Sequence, residues 1–252
     1  MIDFERSGQG APVVLVHGIT ESKRTWDPLI GRLARSHDVL AVDLRGHGAS
    51  AKSAPYDVLT MASDVHEAVE ASHLSEPLLI GHSLGGTVVS AYAAMFPCRG
   101  VLNVDQSMRL GDFQQSLQSV EPMLRGEDAA FQQVIDMVFD SMRGELDDQE
   151  WARLRSLRHA DQEVVLGVWA AVLDTDPRDL DAMVNALASA IVVPYLSLHG
   201  TDPGEDYEDW LSALVVEARV ERWTGLGHYP HLAAPDRFFE LLEEFEATLK
   251  KV

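Results

Sequence analysis

Short apolar runs that stop at glycine or a polar residue alternate along this chain with longer stretches in which apolar positions recur every three or four residues. Uninterrupted runs of four or so apolar residues suit strands buried on both faces, and the longer period suits helices laid over them. The pattern therefore predicts an α/β fold, a mostly parallel, doubly wound sheet. Strands are predicted at Val13–Val16, Val39–Val42, Leu78–Ile80, Val101–Val104, Tyr195–Leu198 and Val220–Trp223. Asp27 followed by Pro28 predicts a helix start with Asp27 as the cap and Leu29, Leu33 and Ala34 on the apolar face. Further helices are predicted over 60–72, 84–95 and 234–249, the last burying Phe238, Leu241, Leu242 and Phe245.

The interval 108–188 breaks the alternation. It carries helical stripes, Phe131, Ile135, Val138 and Met142 in one and Val164 to Leu173 in another, but no strand pattern. One crossover between neighbouring strands is usually a single helix, so some eighty residues are read as an inserted helical cap. The division expected is a core formed by 1–107 and 189–252 with the cap at 108–188. The alternative is a surface elaboration with no part in any site.

Charge narrows the range of partners. Twenty Lys and Arg against forty Asp and Glu give a net charge of −20, which repels phosphate backbones and anionic lipid surfaces. Nucleic-acid and membrane partners are accordingly not expected; a small-molecule substrate is, with the chain a monomer or homodimer. The single cysteine, Cys98, cannot form an internal disulfide, which is compatible with a reducing compartment. The N-terminus shows no basic segment followed by an apolar stretch, so a cytoplasmic location is expected.

The chemistry concentrates at strand ends. Gly81-His82-Ser83-Leu84-Gly85 follows a predicted strand and precedes a predicted helix. A nucleophile on so sharp a turn brings backbone segments together, and glycines on either side remove the side chains that would collide. Of ten histidines, His228 in Gly225-Leu226-Gly227-His228 is the expected general base, because a loop between the last strand and last helix can carry an imidazole over the sheet edge. His231 lies nearer the helix, His82 points away from Ser83 along the strand, and His17 is read as shaping a loop. The acid that orients the base is Asp202 or Asp105, each just past a strand, with Asp202 preferred. Glu205, Asp206 and Glu208 are read as a solvated acidic helix start. Backbone N–H groups of Leu84 and Ile19 are the expected oxyanion donors.

Val16-His17-Gly18, Asp43-Leu44-Arg45-Gly46-His47-Gly48, Gly81-His82-Ser83-Leu84-Gly85-Gly86 and Gly225-Leu226-Gly227-His228 resemble, in order and spacing, the motifs of the α/β-hydrolase superfamily, and the likeness spans nearly the whole chain. The resemblance implies a nucleophile at Ser83, a base at His228, oxyanion donors at Ile19 and Leu84, a cap over the sheet edge and no cofactor or metal. It makes the Asp43–Gly48 segment a structural turn. Two departures stand out: the opening hairpin is abbreviated, and Asp202 falls one residue short of the usual acid position, which Pro203 occupies; some members carry the acid where Asp105 stands. The function implied is hydrolysis of small, mostly uncharged carboxylic esters or lactones. Alternatives of the same fold are carbon–carbon bond hydrolysis, cofactor-free perhydrolysis, or ligand binding and signalling with little turnover. Dehalogenation and epoxide hydrolysis use an aspartate where this chain has Ser83. Trp26, Met108, Phe139, Met142 and Trp169 are the candidate substrate-binding side chains, and Arg109 is a cation that would admit anionic substrates if it faced the cleft.

Overall fold

A computed structural model describes residues 1–249. Seven strands form one sheet in the order β1-β3-β2-β4-β5-β6-β7. They are β1 Phe4–Gly8, β2 Ala11–Val16, β3 His37–Val42, β4 Leu78–His82, β5 Gly100–Val104, β6 Tyr195–His199 and β7 Ala218–Arg222. All neighbours run parallel except β1, which pairs antiparallel with β3. The six predicted strands are present, and β1 was not foreseen. Its residues, Phe4-Glu5-Arg6-Ser7-Gly8, sit at the sheet edge, exposed or only partly buried, so they carry no apolar run to announce them.

Eleven α-helices join these strands among the described residues: α1 Asp27–Leu33, α2 Val58–Ala71, α3 Leu84–Met95, α4 Gly111–Leu124, α5 Asp128–Asp140, α6 Asp148–Leu157, α7 Gln162–Asp174, α8 Pro177–Ser189, α9 Tyr207–Leu214, α10 Pro230–Ala233 and α11 Pro235–Glu246. Two apolar cores result. One lies between the sheet and α2, α3, α8 and α9 and runs on into α4, α5 and α7; the other lies between the sheet and α1 and α11 and takes in Trp151 and Leu154 of α6. The central strands bury side chains on both faces, as their unbroken apolar sequences require.

Two helix expectations need correction. Asp27 is the first residue of α1 rather than its cap, because a short 3₁₀ turn at Lys23–Trp26 runs directly into the helix; its carboxylate instead accepts from Arg24 at 2.8 Å. The stretch 234–249 is preceded by the one-turn α10, and α11 starts afresh at Pro235 after Ala234 leaves helical geometry. In α5, Phe131 and Ile135 are buried as the stripe predicts, but Met142 lies beyond the helix end.

Five helices, α4 to α8, fill the interval between β5 and β6. Of these, α8 packs on α3 and α9 and so returns the chain to the layer that covers the sheet. The sheet order reverses direction between β2 and β4, and at such a switch point the carboxyl edge of an open α/β sheet usually holds the ligand site. That edge is where the chemistry-bearing motifs converge.

Candidate active site

Ser83 joins β4 to α3 with φ 52° and ψ −125°, a conformation an L-residue holds only when its surroundings impose it, at a cost of about 1–3 kcal/mol. The surroundings do. The Ser83 amide donates to the Val104 carbonyl at 3.0 Å, extending the β4–β5 ladder one residue past the strand, and the Gly86 amide donates to Ser83 O at 2.7 Å. Side chains are excluded on both sides of the bend: a Cβ at Gly81 would stand 2.1 Å from Gly85 O, and one at Gly85 would stand 2.2 Å from Val16 O. The Gly-x-Ser-x-Gly spacing is thus a packing requirement of this turn. Ser83 remains partly exposed, and among the described residues its hydroxyl makes no hydrogen bond.

Asp105 follows β5 directly and also takes a left-handed conformation, φ 52°. It is buried, and its carboxylate is saturated with donors: Oδ1 accepts from the amides of Gly200 at 2.7 Å and Thr201 at 2.9 Å, and Oδ2 accepts from His228 Nδ1 at 2.6 Å. Burial pushes this carboxyl up, but the His228 hydrogen bond and charge, with the Thr201 amide, outweigh it and bring its pKa down to about 2. Asp202, the preferred sequence candidate, stands elsewhere. Its side chain is 69% exposed, accepts from the Gly204 amide at 3.0 Å and lies 3.4 Å from Arg222, so it is the exposed cap of a turn with no contact to His228.

His228 is fixed at three points. Besides the bond to Asp105, its amide donates to Met142 O at 3.0 Å, and its carbonyl accepts from His82 Nε2 at 2.9 Å. Gly227 before it has φ 78° and packs within 2.5 Å, by a hypothetical Cβ, of Gly144, so the loop is clamped against the helical insertion and no larger residue would fit. Since Asp105 offers only lone pairs, the proton of a neutral His228 sits on Nδ1 and Nε2 keeps a lone pair. The remaining histidines separate by their partners. His17 donates from Nδ1 to Gly18 O at 2.7 Å and accepts the Leu44 amide at Nε2, a neutral ring shaping the loop as expected, and burial lowers its pKa. His231 is fully buried against Trp26 and His82 with neither ring nitrogen bonded among the described residues, and burial, with the nearby His82, depresses its pKa well below the usual value.

The loop after β2 carries Gly18, Ile19 and Thr20 past Ser83: a Cβ on Gly18 would lie 3.1 Å from Ser83 Cβ. Among the described residues the amides of Ile19 and Leu84 are engaged in no hydrogen bond. The insertion braces this loop too, because the His159 amide donates to Thr20 O at 2.9 Å. Asp43 accepts the amides of Lys23 and Ala49 and the Lys23 ammonium, which makes its segment a structural turn.

Sequence reasoning missed Glu21. This buried carboxylate accepts from the Gly18 amide at 3.0 Å, the Tyr229 hydroxyl at 2.8 Å and His82 Nδ1 at 3.3 Å. The available signal was an acidic residue directly after a loop that had to be buried. The candidate substrate-binding side chains scatter. Met142 adjoins the base through its carbonyl, and Phe139 lies 4.0 Å under the Arg158 guanidinium. Trp169 packs edge-on against Phe113, Met108 is buried beneath Tyr195, and Trp26 is fully enclosed in the core on the α1 side. Arg109 pairs with Asp206 at 2.7 Å. The acidic start of α9 is solvated as expected, with the Asp206 side chain 73% exposed. No group of three or more His, Cys, Asp or Glu side chains is placed to hold a metal among the described residues, and no helix there is long and apolar enough to cross a membrane.

The family model described as the alpha/beta hydrolase family matches residues 13–241. The chain belongs to this family. Its sheet, helical layers and serine-bearing bend are those of the α/β-hydrolase fold. Esterase YbfF of Escherichia coli is 25% identical, with 93% of this chain and 92% of that protein covered. An esterase from Exiguobacterium antarcticum superposes with a TM-score of 0.78 over 97% of this chain and 94% of that one, at 21% identity, a likeness of fold. An uncharacterized Mycobacterium tuberculosis protein is 36% identical over 95 residues, which span 37% of this chain and only 28% of that protein.

Proposed function

We propose that this member of the hydrolase family is a serine hydrolase of small, mostly uncharged carboxylic esters or lactones, working through an acyl-enzyme on Ser83. The observation that carries the reading is the 2.6 Å bond between His228 Nδ1 and the buried, ionised Asp105, with the His228 ring 4.7 Å from that of His82, the residue directly before the strained bend at Ser83. Asp105 holds the imidazole in the tautomer whose Nε2 accepts the Ser83 proton as the hydroxyl oxygen attacks the carbonyl carbon. The charge that develops on the carbonyl oxygen is met by the unengaged amides of Ile19 and Leu84, with the α3 N-terminus behind them. The protonated His228 gives its proton to the departing alkoxide; water, activated by the same nitrogen, then releases the acid. The helices α4 to α7 act as the cap, and they set the height of the base loop through Met142 and of the oxyanion loop through His159.

The absence of a Ser83–His228 hydrogen bond in the resting site is ordinary for this chemistry, since such bonds often tighten only with substrate in place. Burst release of p-nitrophenol from p-nitrophenyl acetate or butyrate, with Ser83→Ala as control, is the test. Expected is a burst that the variant loses, with turnover reduced by roughly 10³-fold or more. Turnover that survives in the variant would overturn Ser83 as nucleophile, and none in the wild type across short acyl esters would move the protein to the ligand-binding reading.

A further inference from the structure

Beside the Asp105–His228 pair lies a second carboxylate–imidazole pair that the mechanism leaves unused, Glu21 and His82. Every contact of Glu21 goes to a different part of the reaction machinery. Gly18, whose amide it accepts at 3.0 Å, opens the oxyanion loop; Tyr229, whose hydroxyl it accepts at 2.8 Å, follows the base; His82, at 3.3 Å, precedes the nucleophile. His82 in turn reaches the His228 carbonyl at 2.9 Å. These three segments lie far apart in the chain and meet at this one buried side chain.

Both partners of His82, a carboxylate oxygen and a backbone carbonyl, can only accept, so both ring nitrogens donate. A ring that donates from both nitrogens is an imidazolium. We infer that Glu21 is a positioning residue of the hydrolytic site: its charge keeps His82 cationic and doubly donating, and the cation ties the base loop to the nucleophile's strand. This rests on the serine-hydrolase reading above.

The surroundings agree. The rings of His228, Tyr229 and His231 lie 4.7, 4.7 and 4.9 Å from that of His82, His17 is also near, and the carboxylates of Glu21 and Asp105 both favour the charged form of His82. Burial works against the His82 charge, yet Glu21 raises its pKa above the ordinary imidazole value. Burial likewise opposes the Glu21 charge, and His82 with the Tyr229 hydroxyl holds that carboxyl well below the usual range. The His231 ring, tilted against that of His82 with centroids 4.9 Å apart, is held neutral by burial and by the nearby His82. Were His82 neutral, it would have one proton for two acceptors, and would lose its hydrogen bond either to Glu21 or to the His228 carbonyl.

Nitrogen-15 NMR of ring-labelled wild-type protein at pH 7 reads the cation without any assay of turnover. The expected signature is two protonated nitrogens on His82. A neutral His82 would overturn the proposal. Glu21→Gln keeps the shape and can still accept from Gly18, but removes the charge. In that variant His82 is expected to become neutral, and kcat on the p-nitrophenyl ester to fall by roughly tenfold to a hundredfold, with KM changed by less than about threefold. The alkaline decline of wild-type kcat that follows loss of the His82 proton is expected to vanish in Glu21→Gln. An unchanged kcat and pH profile in a variant whose His82 is neutral would overturn the positioning role. Fluorophosphonate labelling of Ser83 in the wild type separates the two readings: if Ser83 is unreactive, the hydrolase assignment falls and takes the catalytic part of this inference with it, whereas a labelled Ser83 together with a neutral His82 sinks the Glu21 inference alone.

Discussion

Asp105–His228 and Glu21–His82 are the same two functional groups, a buried carboxylate and an imidazole, placed side by side with ring centroids of the two histidines 4.7 Å apart. They differ in what the second ring nitrogen meets. His228 Nε2 meets no partner among the described residues, which leaves it free for the role proposed above, whereas His82 Nε2 lies 2.9 Å from the His228 carbonyl. Residue type and burial alone therefore do not tell a base from a brace. A third pair lies away from the site: His37 Nε2 is 2.9 Å from Glu246, while Nδ1 meets the Ser36 hydroxyl at 3.0 Å and Leu33 O at 3.1 Å, in a position that joins β3 to α11.

The largest effect that tests this contrast is expected at Asp105. Asp105→Asn leaves the shape but presents an amide to His228, and kcat on the ester should drop by roughly 10⁴-fold. Asp202→Asn, assayed in parallel, should change it by less than about twofold, since its side chain is exposed and distant from the base. Equal losses in both variants would break the assignment of the acid.

A smaller effect is expected in acid. The Asp105 carboxyl is held near 2 in the fold against an ordinary 3.8, so the unfolded chain binds its proton first as pH falls. Its contribution to stability is present above about pH 4 and is lost as pH drops towards 2, on the order of 2 kcal/mol in all. The gap between the urea midpoints of wild type and Asp105→Asn should be constant above about pH 4 and narrow as pH falls from about 4 towards 2.

The smallest is expected at His37. Glu246 raises its pKa against the opposing effect of burial, so the pair stabilises the fold below the ordinary imidazole value, and the gain is lost as pH rises through the raised one. Glu246→Gln should lower stability by less than about 1 kcal/mol at pH 6, by nothing measurable at pH 9, and leave ester turnover unchanged. A change in turnover would mean that the bracing role reaches further than the site.

The difference between β1 and the central strands shows what periodicity can and cannot announce. Val13–Val16 and Leu78–Ile80 are legible because strands covered on both faces must be apolar throughout; Phe4–Gly8 is not, because an edge strand is wetted and its pairing is backbone to backbone. The same division runs through the site. The bend at Ser83 and the loop at His228 are local constructions whose glycines are demanded by close backbone approach, so their motifs could be read directly. Asp105, Asp202 and Glu21 are single acidic residues in loops, and nothing local distinguishes them. The sequence by itself determined the sheet, its helical cover, the nucleophile's turn and the candidate base, all of which follow from neighbours along the chain. Only the tertiary structure decided which carboxylate meets which imidazole, because that depends on burial and on donors contributed by segments up to some two hundred residues apart, from Glu21 to Tyr229.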